Sequence, residues 1–143
     1  ECYAPTDNVS ELTARINDEG WNTSYTNSLK ISKLTKNDAL FILSVGGGNK
    51  EFKISENIID CIDFALGTGS KIFGIVGPDG GYTYEKGDLI IRIKASKQLM
   101  TPLTESFQSL ILHLLVSSPD LKDNINKWEE TLYYVTFSWH FWF

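Results

Sequence analysis

The 143-residue sequence is poor in cysteine and in positive charge, and it contains no long apolar run. Its two cysteines form neither a CxxC motif nor a dense disulfide framework. Two alternatives are compatible with this: two separate thiols in a reducing cytoplasm, or a single disulfide. Thirteen basic against eighteen acidic residues give a net charge of −5, whereas general nucleic-acid binders carry a basic stripe. No run approaches the ~20 apolar residues of a membrane span. We therefore expect a cytoplasmic protein without a nucleic-acid or membrane partner.

Three short apolar runs, each of five or six residues, indicate β-strands at 39–43, 71–76 and 89–93. They are apolar on both faces, which is typical of buried parallel strands. Between the first two, residues 55–66 repeat apolar side chains at helical spacing, with Ser55 as an N-cap and Gly67 as a terminator. Strand, helix and strand in this order predict an α/β fold with a parallel sheet.

Further helices are predicted on both sides of this unit. The segment Val9–Glu19 has Asn8 or Ser10 as its cap, and residues 22–34 form a second helix. Residues 101–118 form the last one, with Pro102 in its first turn and Pro119 as its stop. The α/β layers therefore extend from about residue 6 to residue 121.

The loop after the first strand is the first candidate ligand site. In open parallel sheets, ligands bind at the carboxyl ends of strands, and residues 44–49 (SVGGGN) stand there. Three glycines let backbone N–H groups approach an anion, while the hydroxyl of Ser44 and the amide of Asn49 can add hydrogen bonds to phosphate oxygens. The alternative is a plain strand-to-helix turn. A nucleotide site is disfavoured, because neither a complete GxGxxG nor a GxxxxGK[ST] motif is present.

Three polar residues of the last helix are candidates for chemistry: Glu105, Gln108 and His113. An α-helix turns 100° per residue, so Glu105 and His113 lie about 80° and two turns apart and can border one cleft. Leucines and isoleucine flank His113. Taken alone, the residues favour a buried core histidine over a catalytic one.

The order of several segments resembles sugar isomerase (SIS) domains of the phosphoheptose (sedoheptulose 7-phosphate) isomerase type. No single motif is specific for this family, but the series of motifs in this order is. The resemblance covers about residues 3–130. The segments that carry the resemblance are TDNVSELTA (6–14), ND (17–18), Ser44 with its glycine loop, GPDGGYT (77–83), TPLTESFQ (101–108), HLLVS (113–117) and KWE (127–129).

This resemblance implies a flavodoxin-like three-layer sandwich with a mostly parallel sheet, which is incomplete at its N-terminal side. It also implies that a phosphosugar binds at the strand ends. If Ser55 matches the last serine of the family loop, residues 50–54 are an insertion. The substrate-binding residues carried over are Asp7, Ser44, Gly46, Gly47, Gly48, Asn49 and Ser55.

The implied chemistry is the interconversion of an aldose and a ketose phosphate. His113 matches the catalytic acid/base of the family, and Glu105 matches a neighbouring polar position, usually Gln. The only cofactor implied is a divalent metal ion such as zinc, with Glu105 and His113 as ligands. The resemblance further implies a homo-oligomer, commonly a tetramer. The alternatives are a non-catalytic SIS module that binds a phosphosugar, and an inactive fragment.

The domain expectation follows from the same resemblance. Residues 1–130 are expected to be a partial SIS domain, because the family's second catalytic residue, a glutamate after a glycine-rich segment, lies upstream of Glu1. The 143-residue chain alone is therefore expected to be inactive. Seven of the 18 aromatic residues fall in residues 131–143, which we interpret as a tail outside the family.

Overall fold

A computed structural model describes residues 2–124 and Lys127. The chain divides into two compact units, Glu1–Gln108 and Ser109–Phe143, with the boundary inside the last helix. The first unit contains the sheet. Of the second unit, the structure describes the end of that helix, the turns to residue 124, and Lys127. The expected aromatic tail, Trp128 and Glu129 lie outside the described residues, and the assignment of residues 1–130 to one domain stays a prediction.

Helices and strands alternate through the middle of the chain, as the sequence predicts. The three strands form one sheet in the order β1–β2–β3, and both pairings are parallel. The α/β fold class is therefore confirmed. The elements are α1 (Val9–Glu19), α2 (Ser24–Ile31), β1 (Ala39–Ser44), α3 (Glu56–Thr68), β2 (Lys71–Val76), α4 (Gly81–Lys86), β3 (Leu89–Arg92), a 3₁₀ turn (Lys97–Leu99) and α5 (Met100–Ser117).

The hydrophobic core lies between one face of the sheet and α3. Ile42 and Ile72 project from the two strands toward Ile62 and Ala65 of the helix, and all four are buried. Fully burying an isoleucine contributes about 1.5–3 kcal/mol, so this cluster fixes α3 on the sheet. It thereby fixes the position of the chain segment that leads from β1 into α3.

The other face of the sheet is covered unevenly: Ile75 of β2 is fully buried there, whereas residues of the two flanking strands are exposed. The strand register aligns Phe41 with Leu89 through β2, and Leu43 with Ile91 in the same way. These four side chains are 44%, 67%, 44% and 40% exposed, respectively. The expectation that the strands are buried on both faces is wrong at these positions. Apolar composition shows that a face can be buried but does not show which neighbouring element covers it.

Helix α1 begins and ends where the sequence predicts, and Asn8 is its cap: the Asn8 Oδ1 accepts the Glu11 N–H at 3.2 Å. Helix α2 is shorter than the predicted 22–34. It ends early because Lys33 adopts a left-handed conformation (φ 56°), which lets the N–H of Leu34 return to the carbonyl of Leu29.

Both predicted ends of α3 require correction. Ser55 precedes the helix, but it is left-handed (φ 54°) and its side chain makes no capping hydrogen bond. Gly67 lies inside the helix rather than at its end. Gly69 (φ 76°) terminates it, since its N–H reaches the carbonyls of Ala65 and Leu66.

Helix α4 was not predicted, because GPDGGYT reads as a turn. Its first residue, Gly81, follows a left-handed Gly80 (φ 74°). Thr83 is fully buried, and the rest of the first turn packs against the glycine loop after β1. Tertiary contact, rather than local sequence, therefore stabilises this short helix.

The two cysteines are free, and they differ in their surroundings. Cys2 is exposed, whereas Cys61 is buried on α3 with its sulfur 3.8 Å from the Thr26 hydroxyl. Burial raises the pKa of Cys61 to about 11, and the contact with Thr26 opposes this only in part.

We expect iodoacetamide at pH 8 to alkylate Cys2 and to spare Cys61 until urea unfolds the chain. Mass spectrometry of the two peptides measures this, and equal labelling of both in the folded chain would contradict the described burial.

Candidate functional site

The loop 44–49 leaves the carboxyl end of β1 and is held by hydrogen bonds from two directions. On one side, the Ser44 Oγ accepts the N–H of Gly47 at 3.0 Å. On the other side, the N–H of Tyr82 donates to the Gly48 carbonyl, and the N–H of Thr83 donates to the Gly47 carbonyl, both at 2.8 Å. The Thr83 hydroxyl donates to the same Gly47 carbonyl at 2.8 Å. The loop therefore docks on the beginning of α4.

Gly47 in this loop and Gly81 at the start of α4 are required for that docking. Gly47 has φ +69°, and a Cβ there would lie 2.0 Å from the carbonyl oxygen of Gly80. A Cβ on Gly81 would lie 2.2 Å from the Gly46 carbonyl oxygen. Close packing between the two loops therefore explains part of the glycine content. This explanation is compatible with the alternative that residues 44–49 are a plain strand-to-helix turn. The packing also gives the loop a defined shape.

Residues 49–55 continue the loop and return to their starting point. Asn49 and Ile54 exchange backbone hydrogen bonds at 2.9 and 3.0 Å, and the Asn49 Oδ1 accepts the N–H of Phe52 at 2.9 Å. Residues 50–53 therefore form a short loop that is closed by the hydrogen bonds between Asn49 and Ile54. This geometry is compatible with the insertion expected there, and it keeps Asn49 and Ser55 in one loop.

The beginning of α3 supplies backbone donors next to Ser55. The first N–H groups of a helix have no intrahelical acceptor, and in α3 these include Glu56 and Asn57. The N–H groups of Ile58 and Ile59 both reach the Ser55 carbonyl. Glu56 and Asn57 have no backbone acceptor among the described residues. The helix N-terminus also carries partial positive charge.

Lys50, Asp63 and Tyr82 form a cluster that sequence analysis missed. The Lys50 Nζ lies 2.9 Å from both the Tyr82 hydroxyl and the Asp63 carboxylate, and the Tyr82 hydroxyl donates to Asp63 at 2.5 Å. The hydrogen bonds with Tyr82 and Asp63 raise the pKa of Lys50. Burial alone would raise the pKa of Asp63, but hydrogen bonds from Tyr82 and Lys50 outweigh it and lower that pKa. The cluster links the loop, α3 and α4, although each exposed ion pair contributes little.

Two depressions lie beside this loop. One, of about 460 Å³, is lined by Gly48, Asn49, Lys50, Glu51, Gly81, Tyr82, Glu85 and Lys86. The other, of about 500 Å³, combines apolar walls with a few polar groups, as ligand sites commonly do. Its lining includes Thr6, Trp21, Tyr25, Ser55, Asn57 and Cys61.

Asp7 is not brought to the loop. It is exposed in the turn before α1, and its N–H donates to the Ala4 carbonyl at 3.1 Å. Its neighbour Thr6 lines the larger depression together with Ser55. Of the predicted substrate-binding residues, Ser44, Gly46, Gly47, Gly48, Asn49 and Ser55 therefore lie in one loop, and Asp7 stays a prediction.

Glu105 and His113 are both exposed on α5, Glu105 in the first unit and His113 in the second. The interpretation of His113 as a buried core histidine, which the residues alone favour, is therefore wrong. Within residues 2–124 and Lys127, no group of three or more His, Cys, Asp or Glu side chains could hold a metal ion. The donor set around Glu105 does not fit a metal centre, and we derive no catalytic step from one.

Gln108 lies one turn beyond Thr104 on α5, and both are buried. The Gln108 Nε2 donates to the Ile75 carbonyl at 2.8 Å and to the Ser44 carbonyl at 3.2 Å. The amide therefore bridges the ends of β1 and β2. The sequence offers Gln108 as a candidate for chemistry, but nothing in its spacing shows that its amide donates to these two carbonyls.

Comparison with solved structures identifies the fold. The chain superposes on a phosphoheptose isomerase from Francisella tularensis with a TM-score of 0.60 at 21% identity, covering 77% of this chain and 56% of that one. For phosphoheptose isomerase GmhA from Neisseria gonorrhoeae the TM-score is 0.63 at 22% identity, covering 78% and 59%. The chain has the phosphoheptose isomerase fold. The resemblance to SIS domains of this type is thereby confirmed.

Curated relatives agree with the phosphoheptose isomerase fold. The chain is 30% identical to a phosphoheptose isomerase from Rhodospirillum rubrum over 112 residues, which is 78% of this chain and 54% of the relative. It is 32% identical to the lincomycin biosynthesis protein LmbN from Streptomyces lincolnensis over 110 residues, 76% of this chain and 40% of that protein. The chain thus spans about half the length of these relatives. It matches no family model.

Among the helices described, none has the length and apolar content needed to cross a bilayer.

Proposed function

We propose that this chain is part of a phosphosugar aldose–ketose isomerase of the sedoheptulose 7-phosphate type, and that the loop 44–55 binds the phosphate. The observation that carries the proposal is the position of a docked glycine loop at the carboxyl end of β1, within a phosphoheptose isomerase fold. One sequence relative is a phosphoheptose isomerase, which supports the substrate class. In open parallel sheets, this end of the strands is where ligands bind.

The loop offers several donors to a phosphate group. The Ser44 Oγ accepts from Gly47, which leaves its own hydrogen available for donation. Asn49 uses its Oδ1 within the loop, so its side-chain NH₂ is the group that can donate outward. Glu56 and Asn57 present N–H groups at the positive end of the 13-residue helix α3.

Proton transfer is assigned to His113, with Glu105 as a neighbouring carboxylate. In the reaction, one group removes a proton from the carbon beside the carbonyl, and another supplies a proton to the carbonyl oxygen, giving an enediol. A proton then returns to the former carbonyl carbon while the hydroxyl on the other carbon loses its proton and becomes the new carbonyl, so no atom is gained or lost. A histidine near neutrality can act in either role. Its exposure on α5 leaves it accessible.

The proposal includes a cytoplasmic location, which the composition suggests, and a homo-oligomer, which the resemblance implies. A non-catalytic phosphosugar-binding module is the second candidate, because the same loop serves binding without proton transfer. The isomerase requires His113 for proton transfer, whereas a non-catalytic binding module requires only the loop.

Phosphosugar binding is the direct test. We expect sedoheptulose 7-phosphate to shift the amide resonances of Gly47, Glu56 and Asn57 in the ¹H–¹⁵N spectrum of the chain, and sedoheptulose without phosphate to leave them unchanged. Ser44→Ala should weaken binding about tenfold, since a hydrogen bond to a charged group contributes about 1.5–3 kcal/mol. Ser10→Ala, an exposed serine on α1, is the control. Shifts confined to residues outside 44–57 would contradict the proposal.

A further inference from the structure

Gln108 joins β1 and β2 at their carboxyl ends, where the glycine loop begins. Its Nε2 reaches Ser44, the last residue of β1, and Ile75, the penultimate residue of β2. The side chain is 9% exposed, so water offers little replacement for these bonds. Leaving buried carbonyls without a donor is costly. The amide is therefore held in place, and it holds the two carbonyls in turn.

Ser44 connects this buried amide to the loop. Its carbonyl accepts from Gln108, while its hydroxyl accepts the N–H of Gly47. The direction of the Ser44 side chain depends on the orientation of its own backbone. A displacement of the Ser44 carbonyl therefore moves the acceptor that fixes Gly47.

We propose that Gln108 is a positioning residue for the phosphate loop: by holding the Ser44 carbonyl, it sets the direction in which the Ser44 hydroxyl and the Gly47 N–H are presented. Gln108 itself does not touch the ligand. The effect on the loop stands on the hydrogen bonds alone, whereas the effect on ligand affinity rests on the proposed function.

Thr104 supplies a matched control on the same helix. It lies four residues before Gln108 and is fully buried, but its Oγ1 has no hydrogen-bond partner among the described residues. Thr104→Val keeps the shape of the side chain and breaks no hydrogen bond described here. Gln108→Met keeps the approximate length and removes both bonds to the strand ends.

The experiment compares these two variants in the 143-residue chain. We expect Gln108→Met to lower the hydrogen-exchange protection factor of the Gly47 amide at least tenfold and to shift the carbonyl ¹³C resonances of Ser44 and Ile75. We expect it to raise the Kd for sedoheptulose 7-phosphate about tenfold. Thr104→Val should leave the Gly47 protection factor and the Kd within twofold of those of the parent chain. It should also leave the carbonyl ¹³C resonances of Ser44 and Ile75 unshifted.

Two results would overturn the proposal: an unchanged Gly47 protection factor in Gln108→Met, or an equal loss in Thr104→Val. If the parent chain binds no phosphosugar, the proposed function fails, while the protection factor still decides the role of Gln108. Should Gln108→Met not fold, Gln108→Glu replaces it. A protonated carboxyl donates one hydrogen bond and a carboxylate none, so Gly47 protection should fall as pH rises, and a flat profile would reject the proposal.

Discussion

Replacing Gly47 by alanine is expected to destabilise the chain by about 3 kcal/mol or more, through left-handed strain of about 1–2 kcal/mol and the loss of loop hydrogen bonds of about 0.5–1.5 kcal/mol each. The added Cβ would lie 2.0 Å from the Gly80 carbonyl oxygen, which is backbone and cannot rotate away. The two loops must separate, and with them the bonds from Tyr82 and Thr83. Urea unfolding followed by tryptophan fluorescence measures the change.

Gly46→Ala is the matched control, one residue earlier in the same loop. A Cβ at Gly46 would meet nothing within 4 Å, and its φ is not in the left-handed region. We expect its unfolding midpoint to stay close to that of the parent chain. Equal destabilisation by both variants would show that the loop does not dock as described. A Gly47→Ala chain of parental stability would show the same.

Replacing His113 by alanine is expected to lower the turnover of sedoheptulose 7-phosphate by about 10²–10⁴, the range that general acid–base catalysis contributes. The Kd should stay within about twofold, because in the proposed function the loop 44–55, and not His113, binds the phosphate. Turnover is measured by coupled assay on the longest product of this reading frame, and binding by calorimetry. The 143-residue chain serves as the second sample.

The matched control for this prediction is Ser109→Ala, another exposed position on α5. It should change neither turnover nor affinity. Full turnover in the His113→Ala variant would remove His113 from the chemistry. Binding without turnover in the parent protein would favour the non-catalytic module.

Local signals in the sequence predict those parts of the fold in which one residue type decides the outcome. Asn8 caps α1 through a side-chain oxygen, and only a few residue types can do so. The apolar runs at 39–43, 71–76 and 89–93 become β1, β2 and β3, each within a residue of the predicted bounds. The end of the first run also places the loop 44–49 at the carboxyl end of β1.

The remainder depends on contacts between distant segments. Gly67 and Gly69 are equally suited to end α3, and the choice is made by which of them reaches the helix carbonyls. Lys50, Asp63 and Tyr82 meet from a loop and two helices, so no spacing rule brings them together. The exposure of His113 contradicts its leucine-rich neighbourhood, since sequence neighbours do not determine what covers a helix face.

The open edge of β1 has a consequence for the handling of the chain. β1 pairs with β2 along one side, and among the described residues its other side has no partner strand. The strand, ALFILS, is a six-residue segment with neither charge nor proline. Unpaired edges of this composition act as templates for strand addition and can stack into cross-β fibrils. We therefore expect amyloid-like aggregation of the isolated chain to begin at β1, the same strand that leads into the loop 44–49.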